Sequence, residues 1–116
     1  MLLFIYGTLK RGKFNHRYLA GQKYLGDAHT GPLYSLLVSG LPFLVKREGM
    51  GCTGELWEVD DRCLAILDQL EGHPDFYIRT PIVVRNTKTN EKYPAQTYLH
   101  PDVFNKDIRA VINYTG

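Results

Sequence analysis

Residues Tyr6-Gly7-Thr8-Leu9-Lys10-Arg11-Gly12 follow a short apolar run and combine a glycine break with a string of backbone N–H groups. A glycine leaving a buried strand lets the backbone turn sharply and come close to a ligand. Consecutive N–H groups in such a turn converge into a nest for an anion. The same residues also suit a tight turn in a surface loop, and local sequence does not separate the two readings. Later in the chain, Glu71 ends a stretch of helical periodicity, just ahead of Gly72 and Pro74. The helix dipole opposes a negative charge there by about 0.3–1 kcal/mol. With the apolar neighbour Leu70, that moves the carboxyl pKa upward, as a general base working near neutrality requires. A solvated glutamate at a helix end fits the same pattern.

Other candidates carry less. Gly7 to Lys13 fits the GxxxxGK phosphate-loop pattern, but Phe14 stands where magnesium binding needs Ser or Thr. His16, His29, His73 and His100 lack metal-ligand spacing, so no metal is implied. Cys52 and Cys63 form no CxxC pair, and Cys63, inside the predicted helix, reads as a structural thiol. Ser35 and Ser39 are the only serines, and neither sits in GxSxG. Asp60 and Asp61 are explained by helix capping. Trp57 and the tyrosines, placed in alternating strands, read as core rather than as a stacking platform for bases.

The elements that must hold these groups are short. Strands are predicted over Leu2–Tyr6, Lys23–Thr30, Leu33–Val38, Leu41–Lys46 and Gly54–Val59. Asn15 to Leu19 reads as a helical turn with Asn15 as its cap. The clearest helix runs from Asp61 to Leu70, capped by Asp60 and stopped by Gly72, with Leu64, Leu67 and Leu70 along one face. Tyr77–Arg85 and Tyr93–Leu99 read as a hairpin around Asn86–Asn90. Residues 101–116 show no clear pattern. Many short strands with one good helix predict an α+β domain, either a curled mixed sheet or a small barrel.

No repeat or linker divides the 116 residues, so a single domain over 1–116 is expected. The net charge of +2 is too small to argue for nucleic acid or an anionic membrane. The opening apolar run lacks a basic flank and is too short for a signal or a membrane span. A cytoplasmic protein with reduced thiols is therefore expected.

Phe4 to Gly12 followed by Asn15-His16-Arg17 resembles the opening of the γ-glutamylcyclotransferase superfamily, most of all its γ-glutamylamine cyclotransferase branch. Gly54 to Asp60, the Leu67–Glu71 helix end and Tyr77-Ile78-Arg79-Thr80 resemble its middle, in the same order. The resemblance implies a small mixed β-barrel with one or two flanking helices. It implies that Tyr6, Gly7, Thr8 and Leu9 hold a γ-glutamyl group, that Glu71 is the catalytic acid/base, and that Tyr77 is a binding residue. Residues 31–50 match no family motif, and they are expected to affect which amine leaves.

The implied reaction is cyclisation of a small γ-glutamyl substrate to 5-oxoproline with release of an amine. It is intramolecular and calls for no cofactor. Two alternatives keep other functions open: a noncatalytic binder of γ-glutamyl metabolites on the same fold, and a nucleic-acid-binding barrel using Lys10, Arg11 and Lys13. Oligomeric state is not fixed by these residues.

Overall fold

A computed structural model describes residues 1–116. Eight strands form in chain order: β1 (Leu2–Ile5), β2 (Lys23–His29), β3 (Ser35–Ser39), β4 (Leu41–Val45), β5 (Thr53–Glu58), β6 (Ile78–Asn86), β7 (Lys92–Leu99) and β8 (Ala110–Val111). A four-residue 3₁₀ turn covers His16–Leu19, and one α-helix, α1, covers Asp61–Leu70. Sheet order is β1-β5-β2-β6-β7, closed by a parallel pairing of β1 with β7 at Leu3 and Gln96. The result is a five-stranded mixed barrel, as expected from the α+β pattern. The β3–β4 hairpin extends from it through parallel pairing of Leu44 with Leu99, and β8 pairs with β3.

The apolar run that opens the chain is continuous because β1 is buried on both faces. Phe4 points into the barrel with Ala28, Leu56, Ile82, Val84 and Ala95, at least one from each of the five strands. Leu3 and Ile5 point outward into a second core beneath α1, with Trp57, Cys63, Leu64, Leu67, Tyr77 and Tyr98. β1 is thereby a fixed spine, and whatever leaves its C-terminal end starts from a rigid point. Trp57 is buried in that second core, as its position in an alternating strand implies.

α1 begins as its sequence predicts: the Asp60 carboxylate accepts from the Cys63 N–H at 2.8 Å. Its apolar face differs in one respect. Leu64 and Leu67 are buried, but Leu70 is 38% exposed. Steps of three residues lag the helical period by roughly 60° each, so the third leucine has rotated away from the barrel. Asn15 also differs from expectation. Its side chain makes no capping bond to the 3₁₀ turn and donates instead to the Thr8 hydroxyl at 3.0 Å.

The C-terminal residues, unreadable as a pattern, form a strap. The Ile112 carbonyl accepts from the Thr53 N–H at 2.8 Å, and Tyr114 is buried in the barrel-side core. No helix is long and apolar enough to cross a membrane.

Candidate active site

Gly7 to Lys10 forms a turn closed by the Lys10 N–H donating to the Gly7 carbonyl at 3.1 Å. Leu9 drops into the core under α1 and anchors the turn. Thr8 is held from both ends by Asn15, whose backbone N–H donates to its carbonyl at 2.8 Å while the side chain donates to its hydroxyl. The N–H groups of Gly7, Thr8 and Leu9 have no acceptor within the chain, although Gly7 and Leu9 are buried. Buried N–H groups are almost always paired. Three successive N–H groups without an internal acceptor are free to bond to a ligand or to water.

Glu71 is the C-cap residue of α1. Its N–H donates to Leu67 at 2.9 Å, and the chain then turns at Gly72 with φ +68°. The His73 N–H reaches back to Asp68 at 2.9 Å, and the Gly72 N–H to Gln69 at 3.2 Å. This double closure, with a left-handed glycine after the cap, fixes the direction in which Glu71 leaves the helix. Asp68 braces the same turn. It accepts from Arg79 Nε at 2.9 Å, from Arg79 Nη2 at 3.2 Å and from the Tyr98 hydroxyl at 2.7 Å. Burial alone would raise the Asp68 pKa, but these donors outweigh it and hold the carboxyl low.

The turn and the glutamate meet in one cleft of about 310 Å³. Tyr6 to Leu9, Glu71 and Tyr77 all line it, together with Asn15, Leu41, Pro42, Phe76 and Tyr98. Glu71 is the only charged side chain on its walls, and its carboxylate has neither a salt bridge nor a hydrogen-bond donor. Burial pushes its pKa up to about 7. The direction is the one expected from the helix end, but the cause is different: the apolar cleft strips water from the carboxylate. We therefore expect kcat/KM to rise with pH along an acidic limb centred near 7. A limb near 4.5 in a pH–rate profile would mean that the carboxylate stays hydrated.

Tyr6 and Tyr77 line the cleft with their rings, while their hydroxyls are engaged elsewhere. Tyr6 donates to the Tyr98 carbonyl at 2.5 Å and accepts from the Leu44 N–H at 3.3 Å. Tyr77 donates to the Pro42 carbonyl at 2.6 Å. Burial raises both phenol pKa values, so both remain neutral. The two tyrosines rivet β4, and with it Pro42, over the cleft. Residues 31–50, which match no family motif, thus supply a wall of the site through Leu41 and Pro42.

Asp68, Arg79 and Asn15 were not legible as site residues. Asp68 and Arg79 stand 11 positions apart and meet only through the fold. No group of three or more His, Cys, Asp or Glu stands together as a metal site. The phosphate-loop match is also accounted for: Lys13 Nζ donates to the Thr115 carbonyl at 2.7 Å, and a four-residue 3₁₀ turn follows the loop rather than a helix.

The profile of a family described as "Gamma-glutamyl cyclotransferase, AIG2-like" matches residues 3–114. The chain belongs to this family. A protein of Methanocaldococcus jannaschii named as a candidate γ-glutamylcyclotransferase is 34% identical over 102 residues, spanning 86% of this chain and 84% of that one. The γ-glutamylaminecyclotransferase of Bos taurus is 41% identical over 92 residues. That match takes in 71% of this chain and only 55% of the longer bovine protein. The crystal structure of an AIG2-like protein from Mus musculus superposes with a TM-score of 0.87 at 26% identity, covering 97% of this chain and 86% of the mouse one. The cyclotransferase resemblance read from the YGTL and GELWEV segments therefore extends over residues 3–114, and the AIG2-like barrel is the fold that carries it.

Proposed function

We propose that this chain, acting as one domain over residues 1–116, is a γ-glutamylcyclotransferase that closes a γ-glutamyl amide into 5-oxoproline and releases the amine. The observation that carries this reading is the meeting, in one apolar cleft, of three unpaired backbone N–H groups with a single carboxylate of pKa about 7. In the reaction, the substrate's α-amino nitrogen attacks its own γ-carbonyl carbon and forms the ring C–N bond. The bond to the leaving nitrogen then breaks. Glu71 carries the two protons that the α-ammonium loses on becoming the lactam N–H, one before attack and one after it, to the departing nitrogen, which leaves as an ammonium, so the site is restored after each turnover.

Each part has a plausible magnitude. Holding the substrate bent for attack recovers part of the roughly 7–11 kcal/mol available from proximity. A carboxylate that both accepts and donates the proton adds about 10²–10⁴-fold. The Gly7–Leu9 N–H groups face a negative oxygen, either the substrate's α-carboxylate or the tetrahedral oxyanion. One such donor is worth about 10²–10³-fold when it faces the oxyanion.

The exposed rim of the cleft supports a finer reading. Phe14, Leu41, Leu70 and Phe76 stand there, and no cation lines the cleft. A carboxylate on the carbon next to the leaving nitrogen would lie near Glu71 with nothing to neutralise it. Amides of simple amines, including the lysine side chain, are therefore favoured over γ-glutamyl amino acids. Nucleic acid is disfavoured because the basic loop is internally engaged. Lys10 Nζ donates to Asn113 at 2.7 Å, Arg11 Nε to Glu55 at 3.2 Å, and Lys13 Nζ to Thr115 at 2.7 Å. Cys52 and Cys63 are buried free thiols, which suits a reducing compartment, and we place the activity in the cytoplasm.

The test is 5-oxoproline release from a panel of γ-glutamyl-ε-lysine, γ-glutamyl alkylamides, γ-glutamyl amino acids and glutathione. Turnover is expected, fastest with the amine derivatives. Thermal stabilisation by these compounds without product would replace this reading with a noncatalytic binder.

A further inference from the structure

Glu55 is a buried acid that the chemistry above does not use. It lies on β5 opposite Ile5, the last residue of β1, is 7% exposed, and takes no part in lining the cleft. Its Oε1 accepts from the Arg11 backbone N–H at 3.1 Å and from the Trp57 indole at 3.1 Å. Its Oε2 accepts from Arg11 Nε at 3.2 Å. The far side of the Arg11 guanidinium is held as well. It lies 3.8 Å from the centre of the Tyr24 ring, and Nη2 donates to the Tyr24 hydroxyl at 3.0 Å and to Asp27 at 3.3 Å.

These contacts fix both ends of one arc. The chain leaves β1 at Ile5, which the ladder ties to residue 55, and returns at Arg11, whose N–H is tied to the side chain of the same residue. Between those points lie the three unpaired N–H groups. A carboxylate is a costly way to fill a barrel wall, since a well-packed apolar residue of similar volume is often as stable or more so. What an apolar residue lacks is an acceptor for the Arg11 N–H. We infer that Glu55 is a positioning residue, which holds the Gly7–Leu9 donors in fixed orientation without touching substrate. The functional half of this role rests on the cyclotransferase reading. Donors held in place before substrate arrives need no reorganisation during the reaction.

The test compares wild type with Glu55→Met, which keeps the volume and removes the acceptors, and Glu55→Gln, which keeps Oε1 for both Arg11 and Trp57. Val84→Ala, a cavity in the barrel interior away from the cleft, serves as the destabilised control. Backbone ¹⁵N order parameters at residues 7–11 are expected near 0.85 in wild type and below about 0.6 in the Met variant. The Met variant is expected to lose about 10- to 100-fold in kcat/KM, with the acidic limb still near 7. The Gln variant should retain most of both. A loss in kcat would mean that the donors face the oxyanion, and a rise in KM that they face the α-carboxylate; either supports positioning. A loop still rigid in the Met variant would overturn the proposal. So would a loss of kcat/KM no larger than that of Val84→Ala at equal Tm. If the Met variant does not fold, the wild-type Arg11 amide decides the matter: slow hydrogen exchange supports the tether, and free exchange refutes it. Absence of turnover in wild type would defeat the cyclotransferase reading alone, because the order parameters still report on Glu55.

Discussion

Glu71→Gln is expected to reduce 5-oxoproline formation by at least about 10²–10⁴-fold while leaving the barrel folded. Glutamine matches the shape of the side chain but can neither take the substrate's proton nor return it. The same change should make the protein more stable at alkaline pH. The folded-state pKa of Glu71 lies near 7, above its ordinary value of 4.5. The folded protein thus holds the proton more tightly than the unfolded chain, and stability falls as pH rises from about 4.5 to 7. Above that window, wild type carries a desolvated charge that the glutamine variant lacks. At pH 8 the gain is up to about 3 kcal/mol, and it vanishes below about pH 4. Loss of turnover together with an alkaline gain in Tm would tie the catalytic role and the burial of Glu71 to the same carboxylate. Unchanged turnover would remove Glu71 from the reaction. Turnover lost with no alkaline gain in Tm would mean that the carboxylate is hydrated in the resting protein.

Gly7→Val should be nearly as damaging, for a reason the sequence did not supply. The glycine break suggests a backbone approaching substrate. In the structure, a Cβ at residue 7 would stand 2.7 Å from Pro42 Cγ, so a neighbouring strand already occupies the space. Pro42 cannot retreat freely, because its carbonyl accepts from Tyr77 and the same strand, β4, is held at the Leu44 N–H by Tyr6. The strain moves the turn instead and misdirects the N–H groups of residues 7–9. A loss of about 10²–10³-fold in kcat/KM is expected, with an overpacking penalty of about 1–3 kcal/mol read from denaturant unfolding. A double-mutant cycle separates the steric cause from any other. Gly7→Ala should be impaired, and adding Pro42→Ala should restore much of its activity. Additive losses would place the origin of the effect elsewhere in the turn.

Short-range features were legible in the sequence because their causes are short-range. Asp60 caps α1 through a bond spanning three residues, and Gly72 ends it by taking a backbone conformation that other residues resist. The β6–β7 hairpin follows from two β-rich runs around a turn, and its register runs unbroken from Ile78–Leu99 to Arg85–Lys92. Glu71 and the Tyr6–Leu9 segment could be singled out for the same reason. Each stands at the end of a readable element, and the family resemblance joined them.

Tertiary structure decided what those groups can do. Parallel closure of Leu3 on Gln96 makes the barrel, and no local pattern encodes a pairing between residues so distant in the chain. The barrel and the β3–β4 hairpin then enclose Glu71 in apolar walls, and burial sets its pKa more than the helix end does. Tyr6 and Tyr77, read as binding residues, spend their hydroxyls on the backbone of β4 and β7, a use visible only once those strands are in place. The sequence by itself determined most of the elements, because caps, turns and periodicity act within a few residues, and the family resemblance, not those local patterns, singled out Glu71 as the candidate acid/base. Which N–H groups remain unpaired, and how far the carboxylate is removed from water, depend on which distant segments pack around them.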